Sequence, residues 1–210
     1  FTKEIEAQHK FTDNLKKRNS FIKIPSVLYP SSVKSEEEIM SMLDEFIDGR
    51  LLRNIPENEV GPEVYFKILG EFFDEIFLDG FYHADLHDDN IIMDNSGRIV
   101  FIDVGAYGEV DENKRTPLFE MFEALAQGKT KKFLEAMGKI GVKINFESQI
   151  EGIFNSSANS EERFAKIFTL FSEQTDSMPQ WLFIFFQAIS KIVKYFDKIS
   201  DKQKHALFLR

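Results

Sequence analysis

One short segment of the sequence carries residue types that could hold a phosphate through a metal ion. It begins at His83 and ends at Asn90, and Asp103 follows thirteen residues later. Phosphoryl transfer from a nucleotide requires a carboxylate that orients the attacking oxygen or accepts its proton, and oxygen ligands that hold Mg²⁺ against the phosphates. Asp85 is the candidate for the first role. Asn90 and Asp103 are the candidates for the second, because Mg²⁺ prefers hard oxygen donors.

The residues that follow this segment are expected to return the chain to the same place. Residues 91–93 and 98–102, which are apolar apart from Arg98, lie on either side of the turn-forming residues 94–97. This pattern predicts a β-hairpin with a loop of about four residues. The hairpin would bring Asp103 back to the segment, and Gly105 would allow a sharp turn beyond it. Asp-x-x-x-x-Asn, a hairpin and Asp-x-Gly together form the arrangement of protein-kinase catalytic and metal-binding loops.

Two other interpretations of the segment stay open at this point. In the first, Asp88, Asp89 and Asp94 are ordinary surface turn residues, because turns favour Asp and Asn. In the second, His83 and His87 are zinc ligands four residues apart on a helix. The glycine before the segment and the strand-like residues after it favour a loop instead. In a loop, His83 would support the catalytic residues by hydrogen bonding.

The rest of the chain is predicted to be mainly helical around a few short strands. Apolar residues recur every four positions from Val64 to Ile76, which indicates an amphipathic helix over 63–78 that Gly80 would end. The first part of the chain is predicted to contain a polar helix over 2–18, short strands over 21–24 and 39–43, Gly49 at the end of the second strand, and a loop over 56–62. After Glu109 we predict helices over 113–127, 129–139, 147–155, 160–174, 179–197 and 200–209.

The composition limits the classes of partner and site. The net charge is −9 and the pI is near 5.1, which argues against nucleic acid as the main partner, because phosphate backbones require clustered Lys and Arg. The chain has no cysteine, which excludes disulfides and thiolate metal sites. The longest apolar run, 181–186, is far shorter than the roughly 20 residues of a membrane span. No transmembrane segment is therefore predicted.

Several stretches resemble one family of atypical kinases. Residues 72–85 (FFDEIFLDGFYHAD) resemble the helix and the Gly-Phe-Phe-His-Ala-Asp start of the catalytic loop in the UbiB-like kinases of ubiquinone biosynthesis. Residues 45–49 (EFIDG) resemble the hinge of that family, and residues 24–27 (IPSV) resemble the strand before it. Glu6-Ala7 resembles the Glu-Ala of its C-helix. The similarity reaches to about residue 140, and more loosely into the helical tail.

The resemblance implies ATP and Mg²⁺ as cofactors and a role for each matching residue. Asp85 would be the catalytic-loop aspartate, and Asn90 and Asp103 would be the Mg²⁺ ligands. The residues assigned to the ATP site are the C-helix glutamate Glu6, the hinge residues Glu45 and Asp48, and His83. The partners implied are a nucleotide and a lipid or a quinone-pathway component. The compartment is expected to be intracellular: a mitochondrion, a plastid or the bacterial cytoplasm.

The chain also departs from the family pattern. Leu86, Asp88 and Asp89 replace Pro, Pro and Gly in the loop, and Val104 replaces the Phe of Asp-Phe-Gly. The two added aspartates would either strengthen metal binding or be solvated. No glycine-rich or alanine-rich phosphate loop and no strand lysine precede Glu6. We therefore expect a fragment that begins inside the C-helix and catalyses little on its own.

The predicted fold is α+β and protein-kinase-like, mainly the helical C-lobe. A partial N-lobe and hinge are assigned to residues 1–48, and the C-lobe with the catalytic and metal loops to residues 49–210. The function expected of the intact protein is that of an ATP-dependent kinase or ATPase. One alternative is a small-molecule phosphotransferase of the aminoglycoside or choline kinase type, and another is a non-catalytic binding module.

Overall fold

The computed structural model describes residues 2–28, 43–158, 160–174 and 178–209. The helices of this part are α1 (Thr2–Lys17), α2 (Pro62–Asp74), α3 (Glu112–Ala126), α4 (Thr130–Ile140), α5 (Glu147–Phe154), α6 (Ser160–Gln174), α7 (Gln180–Ile192) and α8 (Asp201–Leu207). The strands are β1 (Val27–Leu28), β2 (Leu43–Asp44), β3 (Gly49–Leu51), β4 (Phe81–His83), β5 (Ile91–Asp94), β6 (Ile99–Phe101) and β7 (Tyr107–Glu109). Helices thus dominate over short strands, and the α+β prediction is confirmed.

The predicted hairpin is the centre of a three-stranded antiparallel sheet. β5 pairs with β6 on one side and with β3 on the other. The side chain of Asp94 closes the turn, because its Oδ1 accepts hydrogen bonds from the backbone N–H groups of Ser96 and Arg98. Gly97 completes the turn with a φ of 79°, which favours glycine. The hairpin prediction is confirmed.

Three details of the first part of the chain differ from the prediction. The stretch 21–24 forms only an isolated parallel bridge from Lys23 to Val100 at the sheet edge, because Pro25 follows and cannot donate to a ladder. Of the strand predicted over 39–43, only Leu43 lies within the described residues, where it begins β2. Gly49 begins β3 and does not end a strand.

The amphipathic helix predicted over 63–78 is present, but its last turn is a π-helix. α2 passes at Asp74 into a π-helical turn over Glu75–Asp79, and Gly80 ends it with a φ of 68°. The helices predicted after Glu109 are all found in the described part, with ends shifted by a few residues. The predicted helix 179–197 becomes α7 followed by a 3₁₀ turn over Val193–Lys198.

An aromatic core joins the helices to residues 83–90, the candidate catalytic segment. Phe73 on α2 contacts the rings of Phe122 and Phe196 at centroid distances of 5.0 and 6.1 Å. Tyr82 on β4 is fully buried and packs edge-on against Phe72 and Phe185. These contacts bury large aromatic areas, and they fix β4 against α2 and α7. No helix of the described ranges is long and apolar enough to cross a membrane.

β4 and β7 form a two-stranded antiparallel ribbon beside the candidate catalytic segment. This ribbon was not predicted. Tyr82 pairs with Gly108 across it. Tyr107 and Glu109 are exposed while Gly108 is buried, so β7 has neither the β-branched residues nor the alternating apolar pattern that would reveal it in the sequence. A side chain at position 108 would overlap the Cζ and hydroxyl atoms of Tyr82.

We therefore expect Gly108→Ala to destabilise the protein by about 1–3 kcal/mol, because the buried Tyr82 ring has no room to move. Gly152→Ala is the matched control. Gly152 lies in α5 with nothing within 4 Å of an added Cβ, so alanine should stabilise the protein by about 0.5–1 kcal/mol. Urea unfolding of both variants measures the two shifts. A Gly108→Ala protein as stable as the unsubstituted chain would contradict the packing described for Tyr82.

Candidate active site

His83 is the buried support of the catalytic segment. Its side chain has 0% exposure, its Nε2 lies 3.2 Å from the carbonyl oxygen of Ile102, and its Nδ1 accepts a hydrogen bond of 3.1 Å from the backbone N–H of Asp85. Both bonds form together only when the imidazole is neutral with the proton on Nε2. Burial lowers the pKa of His83, against the opposing charges of Asp85 and Asp103. The ring therefore joins the catalytic loop to the strand that leads to Asp103.

Asp85 and Asn90 are tied to each other through the backbone. The carbonyl oxygen of Asp85 accepts from the N–H of His87 at 2.9 Å and from Nδ2 of Asn90 at 3.0 Å. Asn90 is 6% exposed, and its own carbonyl accepts from the N–H of Ile102 at 2.9 Å. The Asn90 amide nitrogen is thus used inside the loop, which leaves Oδ1 as the atom available to a cation. The Asp85 carboxylate is 41% exposed and open to a substrate.

Asp103, the third candidate site residue after Asp85 and Asn90, has an unfavourable backbone conformation. Its φ is 53°, in the left-handed region that costs most residues about 1–2 kcal/mol and that Asp tolerates better than most. Its side chain is exposed and lines a cleft. Strained residues of this kind concentrate at functional sites. The structure thus brings Asp85, Asn90 and Asp103 together through Ile102, which bonds to both Asn90 and His83.

The cleft beside Asp103 has a volume of about 520 Å³ and lies between α1, residues 44–47 and the β5–β6 hairpin. Its apolar wall includes Ile24, Ile92 and Ile102. Its charged lining residues in the described part of the chain are all acidic: Glu4, Asp44, Glu45 and Asp103. A triphosphate in this cleft would need added positive charge, and a divalent cation would supply it.

Of the residues assigned to the ATP site from the sequence, the structure brings one into the cleft. Glu45 lines it, and an ion pair with Lys23 lowers the pKa of the Glu45 carboxyl. Glu6 is exposed on another side of α1. Asp48 is exposed and accepts a hydrogen bond from the Asn95 side chain at the hairpin turn. His83 is buried and makes its contacts only within the protein.

Glu4 is the α1 glutamate that lines the cleft, and sequence reasoning missed it. Gln8 lines the cleft one turn later, and Phe11 and Leu15 continue the same stripe as buried residues. Residues 4, 8, 11 and 15 share one face of a helix, whereas residue 6 does not. The helical spacing of the buried residues is therefore the signal that would have identified Glu4.

Both additional loop aspartates form ion pairs with basic residues of neighbouring elements. Asp88 pairs with Lys194 at 2.5 Å and accepts a hydrogen bond from the hydroxyl of Tyr195. Asp89 pairs with Arg53 at 2.6 Å. These contacts fasten the loop to the turns after α7 and after β3. Burial and the Asp88 carboxylate both raise the pKa of Tyr195, which keeps its hydroxyl a donor.

The donor set fits a metal ion that arrives with a nucleotide. Within the ranges described, no group of three or more His, Cys, Asp or Glu side chains is arranged to hold a metal. The His83 nitrogens are occupied by hydrogen bonds, which excludes the zinc interpretation of His83 and His87. One amide oxygen from Asn90 and one carboxylate from Asp103 match Mg²⁺ sites in which phosphates and water complete the shell.

Glu75 lies behind His83 and is the most deeply buried acid of the site. It is 1% exposed, and its Oε2 accepts from the backbone N–H of His83 at 3.0 Å. Oε1 has no hydrogen-bond partner among the described residues. Burial and the nearby charge of Glu71 raise the pKa of Glu75 well above its usual value. The surroundings of Glu75 therefore favour the protonated carboxyl.

This burial gives a pH dependence of stability. Above pH 4.5 the unfolded chain releases the Glu75 proton while the native state keeps it, so stability falls as pH rises, by at most about 1.4 kcal/mol per pH unit. Glu75→Gln mimics the neutral acid and removes this term. We expect the variant to gain stability relative to the unsubstituted chain between pH 5 and pH 8 in urea unfolding. Parallel pH profiles for the two proteins would contradict a neutral Glu75.

The chain matches a family model described as an ABC1 atypical kinase-like domain over residues 1–137. It is 31% identical over 150 residues to "Protein ACTIVITY OF BC1 COMPLEX KINASE 8, chloroplastic" of Arabidopsis thaliana, a match that covers 68% of this chain and 19% of that protein. It is 25% identical over 185 residues to "Probable serine/threonine-protein kinase abkD" of Dictyostelium discoideum, which covers 77% of this chain and 25% of that protein.

The fold is also similar to a solved structure. The complex of Rv3197 with erythromycin from Mycobacterium tuberculosis matches with a TM-score of 0.54 and 17% identity, covering 93% of this chain and 53% of that chain. The protein-kinase-like fold and the resemblance to UbiB-like atypical kinases are confirmed. The chain spans only about a fifth to a half of these proteins. Because the family model matches about two thirds of the chain, the chain belongs to the ABC1 atypical kinase-like family.

Proposed function

We propose that the chain forms the catalytic and magnesium-binding part of an ATP-dependent phosphotransferase or ATPase. The observation that carries this proposal is the bonded path from Asp85 to Asp103. Asn90 bonds to the Asp85 carbonyl through its side chain and to the Ile102 N–H through its backbone, and Asp103 follows Ile102 directly. The path connects a candidate base and two candidate metal ligands through two hydrogen bonds and one peptide bond.

Each residue has a defined part in this proposal. Asp85 orients the attacking hydroxyl or water and accepts its proton, for which its exposed carboxylate is suited. Oδ1 of Asn90 and the Asp103 carboxylate would hold Mg²⁺. The metal ion, when bound, neutralises the charge of the phosphates. The His83 ring links the backbone of Asp85 to that of Ile102 by hydrogen bonds. Glu75 in turn accepts a hydrogen bond from the backbone N–H of His83.

The acidic cleft is the proposed nucleotide site. Its volume of about 520 Å³ is within the range of small-molecule pockets. The apolar wall of Ile24, Ile92 and Ile102 would contact the adenine base of the nucleotide. The backbone of residues 44–49 would form hydrogen bonds with the edge of the adenine, as in the hinge of the related family. Glu4 takes the place that the sequence assigned to Glu6.

The wider role proposed for the intact protein rests on its relatives. The resemblance to UbiB-like kinases supports a role in quinone or lipid metabolism, with a lipid or a component of that pathway as partner. The Arabidopsis relative is named as chloroplastic, which supports a plastid among the compartments proposed. The Mycobacterium tuberculosis relative was solved with erythromycin, which supports a site for small organic molecules.

The nucleotide site is tested by calorimetric titration of the chain with ADP, with and without Mg²⁺. We expect Mg²⁺-dependent binding that Asp103→Asn weakens by about tenfold or more, because a metal ligand is lost. Asp111→Asn is the matched control, since Asp111 is exposed and pairs with Lys114 outside the cleft. Equal affinity of Asp103→Asn and the unsubstituted chain for Mg²⁺–ADP would exclude the assigned metal site.

A further inference from the structure

A second cavity, of about 500 Å³, has Asp85 among its lining residues. It is formed by the ends of β4 and β7 together with α6 and α7, and it shares no lining residue with the nucleotide cleft. Most of its wall is apolar, with Tyr107, Phe168 and Ile184 as the large side chains. We refer to this cavity as the α7 groove. Asp85 lines the groove, whereas Asp103 lines the cleft.

The lining of the α7 groove changes from apolar to charged along one face of α7. Ile184, Gln187 and Lys191 stand at positions i, i+3 and i+7, which lie on one helical face. The ammonium Nζ of Lys191 is 3.3 Å from Oδ1 of Asp85, and both side chains are 41% exposed. The charged end of the groove is thus the end that contains the candidate base, and it is open to a ligand.

An ion pair at the end of an apolar groove selects for a particular ligand chemistry. A hydroxyl can donate a hydrogen bond to the Asp85 carboxylate and accept one from the Lys191 ammonium. A charged group gains little net attraction from the pair, because Asp85 and Lys191 act on it with opposite signs. It also loses more hydration than a neutral hydroxyl when it enters the groove. The apolar wall requires an apolar body on the same molecule, because its burial would provide most of the affinity.

We propose that the α7 groove is the acceptor site, and that it takes a neutral alcohol with an apolar body whose hydroxyl lies between Asp85 and Lys191. The acceptor role rests on the proposed phosphotransferase function. In the transfer, the hydroxyl oxygen bonds to the γ-phosphorus of ATP, the bond from that phosphorus to the β–γ bridging oxygen breaks, and ADP leaves. The hydroxyl proton passes to Asp85. Lys191 is a positioning residue, because it acts by holding the Asp85 carboxylate and the hydroxyl.

The test is calorimetric titration of the nucleotide-free chain with 1-octanol, 1-hexanol, octylammonium and octanesulfonate. We expect saturable binding of 1-octanol, with 1-hexanol about fifteenfold weaker, since it lacks two methylenes and each buried methylene contributes a factor of about four. Both charged ligands should bind more weakly than 1-octanol. Lys191→Met should reverse the preference between 1-octanol and octylammonium, because it removes the ammonium group that pairs with Asp85 and leaves the carboxylate with, among the described residues, only the His87 ring nearby, at 3.6 Å. A purely structural lysine would not change this preference.

Two further variants and a control locate the binding. Ile184→Asp places a charge on the apolar wall, and Gln187→Trp fills the groove from an exposed position of α7. Either variant, if folded by circular dichroism, should weaken 1-octanol binding at least tenfold. Lys139→Met should leave it unchanged, because Lys139 pairs with Glu120 elsewhere on the surface.

These experiments distinguish a failure of the α7 groove proposal from a failure of the proposed nucleotide site. Absence of saturable 1-octanol binding by the folded chain, or binding that neither groove variant weakens, would overturn the α7 groove as a ligand site. Ile184→Asp should still bind Mg²⁺–ADP as the unsubstituted chain does. Binding of 1-octanol without any binding of Mg²⁺–ADP would overturn the acceptor role together with the proposed function, while the groove would stand as an alcohol site.

Discussion

Asp85→Asn is expected to lower the rate of ATP turnover by about two to four orders of magnitude. An amide cannot accept the proton of the attacking hydroxyl or water, and general-base catalysis contributes about this much. The loop itself should be unaffected, because it is the backbone carbonyl and N–H of Asp85 that bond to Asn90, His87 and His83. Single-turnover assays with the protein in excess over ATP measure the rate, since they report slow reactions.

Glu109→Gln is the control for this experiment. Glu109 lies on β7 and forms an exposed ion pair with Lys10, so its removal should change the rate by less than about threefold. Mg²⁺–ADP affinity of Asp85→Asn should stay close to that of the unsubstituted chain, because Asp85 does not line the cleft. An Asp85→Asn protein that retains the original turnover would show that the base is another group.

Arg18→Ala is expected to give the largest loss of stability, about 3–5 kcal/mol. Arg18 follows α1 and is 15% exposed, and its guanidinium pairs with Glu71 at 2.5 Å and with Asp79 at 2.8 Å. It thereby joins the end of α1 to α2 and to the turn before the catalytic segment. Its removal would leave the buried Glu71 carboxylate without a countercharge. Urea unfolding at neutral pH measures the loss.

Two comparisons identify the buried charge as the cause. Adding Glu71→Gln to Arg18→Ala should recover part of the loss, because the unpaired charge is then absent and the amide can still bond to Ser20. Lys139→Ala should cost at most about 1 kcal/mol, because its ion pair with Glu120 is exposed. A double variant no more stable than Arg18→Ala would indicate that lost packing, and not the unpaired carboxylate, causes the effect.

The parts of the site that could be predicted depend on signals close together in the sequence. The turn at 94–97 fixes the hairpin through the Asp94 side chain, and the hairpin alone determines where Asp103 returns. The four-residue period of α2 and the αL conformation at Gly80 are likewise local. For these reasons the loop, the hairpin and the helices were predicted within a few residues of their observed bounds.

The contacts that the sequence does not reveal join residues that are distant along the chain. Lys194 pairs with Asp88 from more than a hundred residues away, and Lys191 reaches Asp85 from the same helix end. No local pattern identifies such pairs, so Asp88 was left as either a metal-site or a solvated residue. Glu6 was chosen from a two-residue resemblance, whereas the buried stripe of α1 places Glu4 in the cleft.

Paramagnetic broadening of the backbone amide signals of the chain by Mn²⁺–ADP tests the metal site directly. We expect Mn²⁺ bound with ADP to broaden the signals of Asn90 and Asp103 most strongly, and excess Mg²⁺ to reverse the effect. Signals from α5, whose residues do not line the cleft, should be broadened least. Broadening that is uniform along the chain, or strongest at the acidic residues 71–79, would contradict a metal site formed by Asn90 and Asp103.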